Sequence, residues 1–375
     1  MPKLTIYPLG NADCSRIDLD GGKKILLDYA NCKSDDQADL RIDLPVELRR
    51  DLKLAKRNSY DVVAFTHLDD DHICKASEFF WLQHAAKYQG GDRIKIDEMW
   101  VPAAAITEDN ACDESKIIQA EARDRLKRKQ NIRVFSRPDR LKDWLKKNGM
   151  TVDEVKHLIT DAGQTIPGFA KDKEGVEFFV HSPFAKRLNE TEVEDRNLDS
   201  LVFQGTFLTS GVETKILFTA DTPHEAWVDI VNITRFKKRE ERLEWDVLKL
   251  PHHCSYLSLG PDRGEEKTDP VENVKWLHEK ANGGAIIVSS SKPIPEKGSE
   301  EDKGSQPPHR QAKNFYVERR DKLNGEFVVT MEHPSKKEPK PLVIMIGAGK
   351  ATIDKSAGTG IAAAASQIAP RAGER

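Results

Sequence analysis

The segment FTHLDDDHICKASEFF, residues 65–80, constrains this 375-residue chain more than any other part of its sequence. It follows the apolar run VVAF and precedes a helix-like stretch, so its histidines and aspartates stand where a strand ends. On an extended backbone, residues i and i+2 point the same way, so His67, Asp69 and Asp71 can converge, and His72 can turn in as the helix begins. Imidazole and carboxylate ligands suit zinc, manganese or iron. In the structural alternative the aspartates cap the helix, which explains one aspartate but not two flanking histidines.

Two later apolar runs also end on metal-binding residue types. KILFTADT ends with Asp221, and WDVLKLPHHCS ends with His252 and His253. Taken alone, Asp221 would more often be a turn residue than a ligand. Three separate strands that end on such residues are what a site on one rim of a sheet requires. The sequence therefore predicts a metal centre at that rim.

Apolar strand-like runs alternate with charged helix-like segments along the chain, which favours an α/β fold. We expect a single domain over residues 1–349. A highly charged helical stretch, about residues 107–160, interrupts the strands and is interpreted as an insertion. The Ala-, Gly- and Ser-rich residues 350–375 are predicted to be a disordered tail.

Composition limits the classes of partner. The 59 Lys and Arg nearly balance the 62 Asp and Glu, so an anionic partner must be met by a local patch. The five cysteines are widely spaced without a CxxC pair, which indicates reduced thiols. No apolar run reaches the length of a membrane span, and the N-terminal residues lack the pattern of a signal peptide. We therefore expect a cytoplasmic protein that does not bind membranes.

The order of these motifs resembles the metallo-β-lactamase superfamily, in which a strand-end HxHxDH motif, a later aspartate and a last histidine hold one or two metals. Here Asp69 stands at the second histidine position, and this HxDxDH variant resembles the nuclease-like domain of the ComEC competence family. Other segments that resemble this branch are GNADCSRIDL with Asp13, ILLDYA with Asp28, NLDSLVF, LFTADT and DVLKLPHHCS. The resemblance covers about residues 1–315 outside the charged stretch. It implies an αββα sandwich, two sheets flanked by helices, with a charged helical insertion.

The same resemblance implies two divalent metal ions, Zn²⁺ or Mn²⁺. The implied ligands are His67 and Asp69 on the first ion, Asp71 and His72 on the second, and Asp221 as a bridge. For the last ligand, His253 and a later histidine, His309, remain alternatives. The middle ligand is Asp199, Asn197 or none.

Some residues near these motifs are expected to be structural. Ala220 and Cys254 replace glycines of the family's motifs. Cys254 is interpreted as a small buried residue and not as a ligand. His181, in VHSP, is interpreted as a histidine of the core or one that supports the ligands.

The predicted chemistry follows from the ligand types. Two ions about 3.5–4 Å apart can share a hydroxide and hold the attacking and leaving oxygens of a phosphodiester. Asp71, or whichever of His252 and His253 is not a ligand, could move protons. The resemblance implies DNA or another phosphodiester as the substrate.

A basic run over residues 123–147 bears on the substrate. The residues expected to contact a phosphate backbone are Arg123, Arg125, Lys127 and Arg128. Acidic residues are mixed into this run, so a solvated helix face is the alternative. Two other functions stay open: a metallohydrolase of a small ester, lactone or cyclic nucleotide, and a non-catalytic scaffold that binds a protein partner through the charged insertion.

Overall fold

The computed structural model describes residues 1–108, 112–184 and 196–356, which form two β-sheets packed face to face between layers of helices. The strands are β1 Lys3–Ile6, β2 Ser15–Asp18, β3 Lys24–Leu27, β4 Ser59–Ala64, β5 Lys95–Pro102, β6 Ile132–Phe135, β7 Ile159–Thr160, β8 Val176–Ser182, β9 Val202–Thr209, β10 Val212–Phe218, β11 Trp245–Lys249, β12 Ala281–Ser289, β13 Glu326–Val329, β14 Pro334–Ser335, β15 Glu338–Pro339, β16 Leu342–Gly347 and β17 Lys350–Ile353.

The α-helices are α1 Leu44–Leu54, α2 Asp70–Ile73, α3 Ala76–Phe79, α4 Ala104–Thr107, α5 Asp113–Arg128, α6 Asp139–Lys147, α7 Val152–Val155, α8 His224–Phe236, α9 Glu272–Glu279, α10 Glu300–Lys303 and α11 Arg310–Leu323. Short 3₁₀ helices cover Ala86–Tyr88, Lys156–Leu158, Arg196–Asp199, Glu240–Leu243, Pro251–Cys254, Tyr256–Ser258 and Thr330–Glu332. Among these described helices, none combines the length and the apolar character that crossing a membrane requires.

The two large sheets are mixed. The first has the order β17-β16-β1-β2-β3-β4-β5-β6-β7, antiparallel from β17 to β3 and parallel from β3 to β7. The second has the order β13-β12-β11-β10-β9-β8, parallel from β13 to β10 and antiparallel from β10 to β8. Strands β14 and β15 form a separate small pair.

Both faces of each sheet are covered, so successive side chains of a strand enter different cores. In β3, Ile25 and Leu27 point into the core between the sheets, while Leu26 points to the core under the helices of the first sheet. Trp100 fills the centre of the inner core, where its ring meets four phenylalanine rings edge-on. Truncating a buried tryptophan to alanine costs about 3–5 kcal/mol. The predicted αββα layering is therefore confirmed, with its main core between the sheets.

The charged stretch about 107–160 is helical in α5 and α6, and it also contributes strands β6 and β7 to the first sheet. Helix α5 packs on that sheet through Ile118, Ala122 and Leu126. The stretch is thus built into one layer of the sandwich. At the other end of the chain, Lys350–Ile353 pairs with β16, although a disordered tail was predicted from residue 350, and residues 357–375 lie outside the described residues.

Candidate metal centre

The loops that follow β1, β4, β10 and β11 meet at one edge of the sandwich. In the first sheet, strands β1, β3 and β4 run in the same direction, and in the second sheet β10 and β11 do so. The C-terminal ends of these strands therefore lie together within each sheet. Donor atoms of Asp13, His72, Asp221 and His253 all lie within 4.8 Å of one another. A second group at the same edge, His67, Asp71 and His72, shares His72 with the first.

The separations between these donor atoms match those of ligands around a common ion. His72 Nε2 lies 3.2 Å from Asp221 Oδ1 and 3.8 Å from Asp13 Oδ2. His253 Nε2 lies 3.1 Å from Asp71 Oδ2 and 3.8 Å from Asp221 Oδ2. With zinc–ligand bonds of about 2.0–2.1 Å, two ligands at a tetrahedral angle stand about 3.3 Å apart.

Several of these donor atoms are buried without a hydrogen-bond partner. They are Asp13 Oδ1, His67 Nε2, His72 Nε2 and Asp221 Oδ1. A buried polar group without a partner costs roughly 1–3 kcal/mol, so donor atoms without hydrogen bonds are costly here, although His72 Nε2 and Asp221 Oδ1 attract each other across 3.2 Å. Divalent cations coordinate imidazole nitrogen and carboxylate oxygen. The donor set therefore fits a divalent metal.

His72 is oriented by residues behind it. Asp69 is extended, with ψ 152°, and α2 begins at the next residue, so His72 turns inward on the first helical turn. Its Nδ1 lies 2.9 Å from Asp28 Oδ2, and this carboxylate also accepts hydrogen bonds from the backbone N–H of Thr66 at 2.7 Å and from Thr66 Oγ1 at 2.8 Å. A proton on Nδ1 leaves the Nε2 lone pair for an ion. Asp28 itself has φ 57°, a conformation that aspartate tolerates better than most residues.

His253 is fixed in the same way by a backbone carbonyl. Its Nδ1 donates to the Ser290 carbonyl oxygen at 2.7 Å, which leaves Nε2 facing Asp71 and Asp221. His252, His253 and Cys254 have φ values of 48°, 50° and 69°. Such left-handed conformations cost of order 1 kcal/mol or more each and cluster at functional sites. Here they turn the side chain of His253 inward, whereas that of His252 remains 24% exposed, with its Nε2 4.0 Å from Asp221 Oδ2.

A buried ion pair completes the centre. Lys249 Nζ lies 2.6 Å from Asp13 Oδ2, and both side chains are buried. Burial acts to raise the pKa of Asp13, but Lys249 together with the imidazoles of His72 and His253 lowers it below its ordinary value. Burial acts to lower the pKa of Lys249, and the Asp13 carboxylate reverses that effect. The backbone N–H of Asp13 also donates to the Asp71 carbonyl at 2.9 Å, which ties two ligand loops together.

The carboxylates draw positive charge onto the imidazoles. Burial acts to lower the pKa of His253, but Asp221 and Asp71 raise it to about 9. Asp221 and Asp28 raise the pKa of His72 well above its ordinary value, again against the effect of burial. The two imidazoles in turn hold the pKa of Asp221 well below its usual range, although burial acts to raise it. The clustered carboxylates thus favour positive charge at the centre, whether it is carried by protons on the imidazoles or by a bound cation.

Three predicted ligands lie outside the two donor groups. Asp69 is one-third exposed, with Oδ2 3.8 Å from His67 Nε2. Asp199 and His67 line a small cavity that has room for about one water. His309 is buried, and burial together with Arg263 lowers its pKa to about 4. The structure brings His253, and not His309, into the donor cluster; the side chain of residue 197 is outside the described part.

Sequence reasoning did not assign Asp13 or Lys249 to the centre. Asp13 follows β1, so the criterion that singled out Asp221, an acidic residue after an apolar run, could have found it too. The segment around it, GNADCS, has the composition of an ordinary turn, which concealed that signal. Lys249 is the last residue of β11, and nothing local marks it as buried.

None of the four basic residues predicted to contact substrate belongs to the donor groups. Arg125 is 1% exposed and is held by Glu121 at 2.6 Å and by the carbonyls of Ile96 and Asn131, so it supports the fold and its assignment to substrate is corrected. The other contacts are Arg123 Nε with the Ile106 carbonyl at 2.8 Å, Lys127 over the Trp144 ring at 5.7 Å, and Arg128 with Asp124 at 2.5 Å.

The direction of α5 explains why Lys127 and Arg128 are remote from the centre. This helix ends just before β6, which runs parallel to β4 and β5. The C-terminal turn of α5, with Lys127 and Arg128, is therefore at the rim where the parallel strands begin. The donor cluster is at the rim where they end, roughly 20 Å away along a six-residue strand.

Comparison with known proteins finds solved structures that match this chain at low sequence identity. No protein-family model matches the chain, and no curated protein matches it. A diphosphatase from the PhnP family is 11% identical, over 93% of this chain and 100% of its own, with a TM-score of 0.34. Zn²⁺-bound PqqB from Methylobacterium extorquens is 9% identical, over 87% of this chain and 97% of its own, with a TM-score of 0.39. A metal-dependent hydrolase of the β-lactamase superfamily is 9% identical, over 94% and 98%, with a TM-score of 0.34.

Proposed function

We propose that this protein is a metal-dependent hydrolase that cleaves a phosphodiester at a dinuclear centre. The observation that carries the proposal is the pair of donor groups that share His72, with buried donor atoms that have no hydrogen-bond partner. The residues that would hold the ions are Asp13, His67, Asp71, His72, Asp221 and His253. A scaffold that only binds a protein partner would gain nothing from such a cluster.

The donor types agree with the metals considered. Three imidazoles suit Zn²⁺, and three carboxylates suit Mn²⁺. Two divalent ions lower the pKa of a bound water to near neutrality and stabilise the charge that develops on a phosphodiester during displacement. Without bound ions, the carboxylates would repel the anionic phosphodiester. The affinity for substrate therefore depends on whether the ions are bound.

The surrounding residues have separate tasks in this proposal. Asp28 holds the proton on Nδ1 of His72, and the Ser290 carbonyl accepts the proton on Nδ1 of His253, so both rings keep Nε2 for coordination. Lys249 neutralises Asp13 and fixes its orientation. His252 is the proton carrier that we propose for the leaving oxygen, because its ring is partly exposed and reaches toward Asp221.

The substrate could be DNA or a smaller molecule. The family resemblance favours DNA, but of the basic residues expected to follow a phosphate backbone, Lys127 and Arg128 lie at the far rim and Arg125 is buried in the fold. That placement favours a second candidate, hydrolysis of a small ester, lactone or cyclic nucleotide. A cytoplasmic location and a protein partner for the charged stretch remain predictions.

The proposal is tested by metal content and hydrolysis measured on the same preparations. Wild type, His72→Ala and Asp221→Asn are compared by elemental mass spectrometry and by cleavage of bis-p-nitrophenyl phosphate and plasmid DNA with Mn²⁺. His157→Ala, which changes an exposed histidine on a 3₁₀ helix, is the matched control. We expect about two ions per chain and cleavage in wild type and control, with both lost in the site variants.

The outcomes separate the candidates. Cleavage of the small diester without cleavage of DNA supports the second candidate. Stoichiometric metal without cleavage of either substrate contradicts the phosphodiesterase assignment. A wild-type protein that takes up no metal contradicts the proposal altogether.

A further inference from the structure

A third group of donor atoms lies beside the helical turn that carries Asp71 and His72, and its donors include two thiols. Sγ of Cys32, Sγ of Cys74 and a carboxylate oxygen of Asp70 all lie within 4.8 Å of one another. Both cysteines are half-buried free thiols, and Asp70 is exposed. The donor groups of the metal centre, in contrast, consist of histidine and aspartate.

Backbone hydrogen bonds hold these three residues in place. The N–H of Cys74 donates to the Asp70 carbonyl at 2.8 Å, which places the two residues on one helical turn. The segment before Cys32 runs beside this turn: Tyr29 N–H donates to the His72 carbonyl at 3.0 Å, and Asn31 N–H donates to the Cys74 carbonyl at 2.9 Å. Cys32 therefore comes next to Cys74 because of the fold and not because of side-chain flexibility.

Consecutive aspartates on this loop serve the two sites separately. Asp71 faces the metal centre, with Oδ2 3.1 Å from His253 Nε2. Asp70 offers its carboxylate to the cysteine pair. The loop thus has metal-binding donors on both sides.

We infer that Cys32, Cys74 and Asp70 form a separate site for one thiophilic divalent cation such as zinc. Zinc binds thiolate sulfur at about 2.3 Å, so two thiolates at a tetrahedral angle stand about 3.8 Å apart, which the present arrangement can reach by a small closure. The exposed side of Asp70 leaves a fourth position to water. Binding releases the thiol protons, so uptake is accompanied by acidification of the solution.

An ion at this site would fasten the segment that contains Cys32 to the turn that contains Asp71 and His72. It would therefore stiffen the loop that supplies two donors to the metal centre. The inference does not depend on the proposed hydrolase activity, since the thiol site can bind an ion whether or not the other centre is catalytic.

The experiment uses Cd²⁺ as a probe, because thiolate-to-cadmium charge transfer absorbs in the ultraviolet, whereas nitrogen and oxygen ligands give no such band. The full chain is treated with a chelator, reduced with a phosphine and titrated without air. Free thiols are counted before the titration. We expect a band that saturates with one equivalent of Cd²⁺ in wild type and is lost in Cys32→Ser and in Cys74→Ser.

Two further variants complete the test. Cys112→Ser changes another half-buried thiol, located at the start of α5, and should retain the full band. Asp70→Asn should keep the band but saturate at a higher Cd²⁺ concentration. A wild-type titration without the band, with all thiols counted as free, overturns the site, as does a band retained in Cys32→Ser. An unchanged titration in Asp70→Asn overturns the three-ligand assignment.

Discussion

Replacing Asp28 by asparagine is the sharpest test of how the metal centre is organised. Asparagine has the same shape and tolerates the left-handed φ of 57° at this position, so the backbone should be retained. The amide oxygen can still accept the Thr66 N–H at 2.7 Å, but the negative charge 2.9 Å from His72 Nδ1 is lost. The imidazole proton can then move to Nε2, which blocks the nitrogen that faces Asp221.

The substitution is expected to lower the affinity for metal and to leave the fold intact. Removing such an outer partner of a metal-bound histidine typically lowers affinity by about 10–100-fold. This corresponds to roughly 1.4–2.7 kcal/mol of binding free energy at the centre. Zn²⁺ and Mn²⁺ affinities are measured by competition with a chromophoric chelator, and hydrolysis is measured at saturating metal.

The matched control is Asp246→Asn. Asp246 also accepts a backbone N–H, from Lys215 at 2.7 Å, and a side-chain hydrogen bond from Asn282 at 3.0 Å, but it lies in the second sheet away from the centre. Its substitution should leave metal affinity unchanged. Equal affinities in the two variants and wild type would refute the role given to Asp28, and equal losses would indicate a general effect on folding.

Three further predictions concern stability. Chelation should lower Tm by about 5 °C. An ion at 1,000 times its Kd contributes about 4 kcal/mol to the free energy of unfolding, and a 375-residue chain unfolds with an entropy of about 0.8 kcal/mol/K. An unchanged Tm contradicts a bound ion. Lys249→Met, measured by urea unfolding of the chelated protein, should cost about 3–5 kcal/mol because it leaves Asp13 buried without the ammonium that pairs with it. A loss below 1 kcal/mol argues against that pair. Burial and Arg319 lower the pKa of His278 from 6.5 to about 3. Below pH 6.5 the unfolded chain therefore binds a proton at this histidine that the folded protein does not, and the free energy of unfolding falls with the pH. Between pH 7 and pH 5, wild type should lose about 2 kcal/mol more unfolding free energy than His278→Phe. Equal losses in the two proteins would refute this.

Much of the centre was predictable because its residues follow strands. His67, Asp71 and His72 come after β4, Asp221 after β10 and His253 after β11, and the ends of parallel strands meet at one edge. This local rule needs only an apolar run and the residue types that follow it.

Other features depend on contacts between distant residues, which a local pattern does not contain. Lys249 and Asp13 are 236 positions apart, so their pairing follows from the packing of the two sheets. The choice between His253 and His309 depends on left-handed backbone at His252 and His253, which non-glycine residues seldom adopt. Strand β6, with the sequence IRVF, lies among charged helices, and only its pairing with β5 makes it part of the sheet.

The most direct test of the central claim is anomalous X-ray scattering from crystals grown with Zn²⁺ or Mn²⁺, collected on both sides of the metal absorption edge. The dinuclear proposal predicts two anomalous peaks at the edge where β1, β4, β10 and β11 end, within bonding distance of the side chains of His72, Asp221 and His253. A crystal with saturating metal and no anomalous peak at that edge would contradict it.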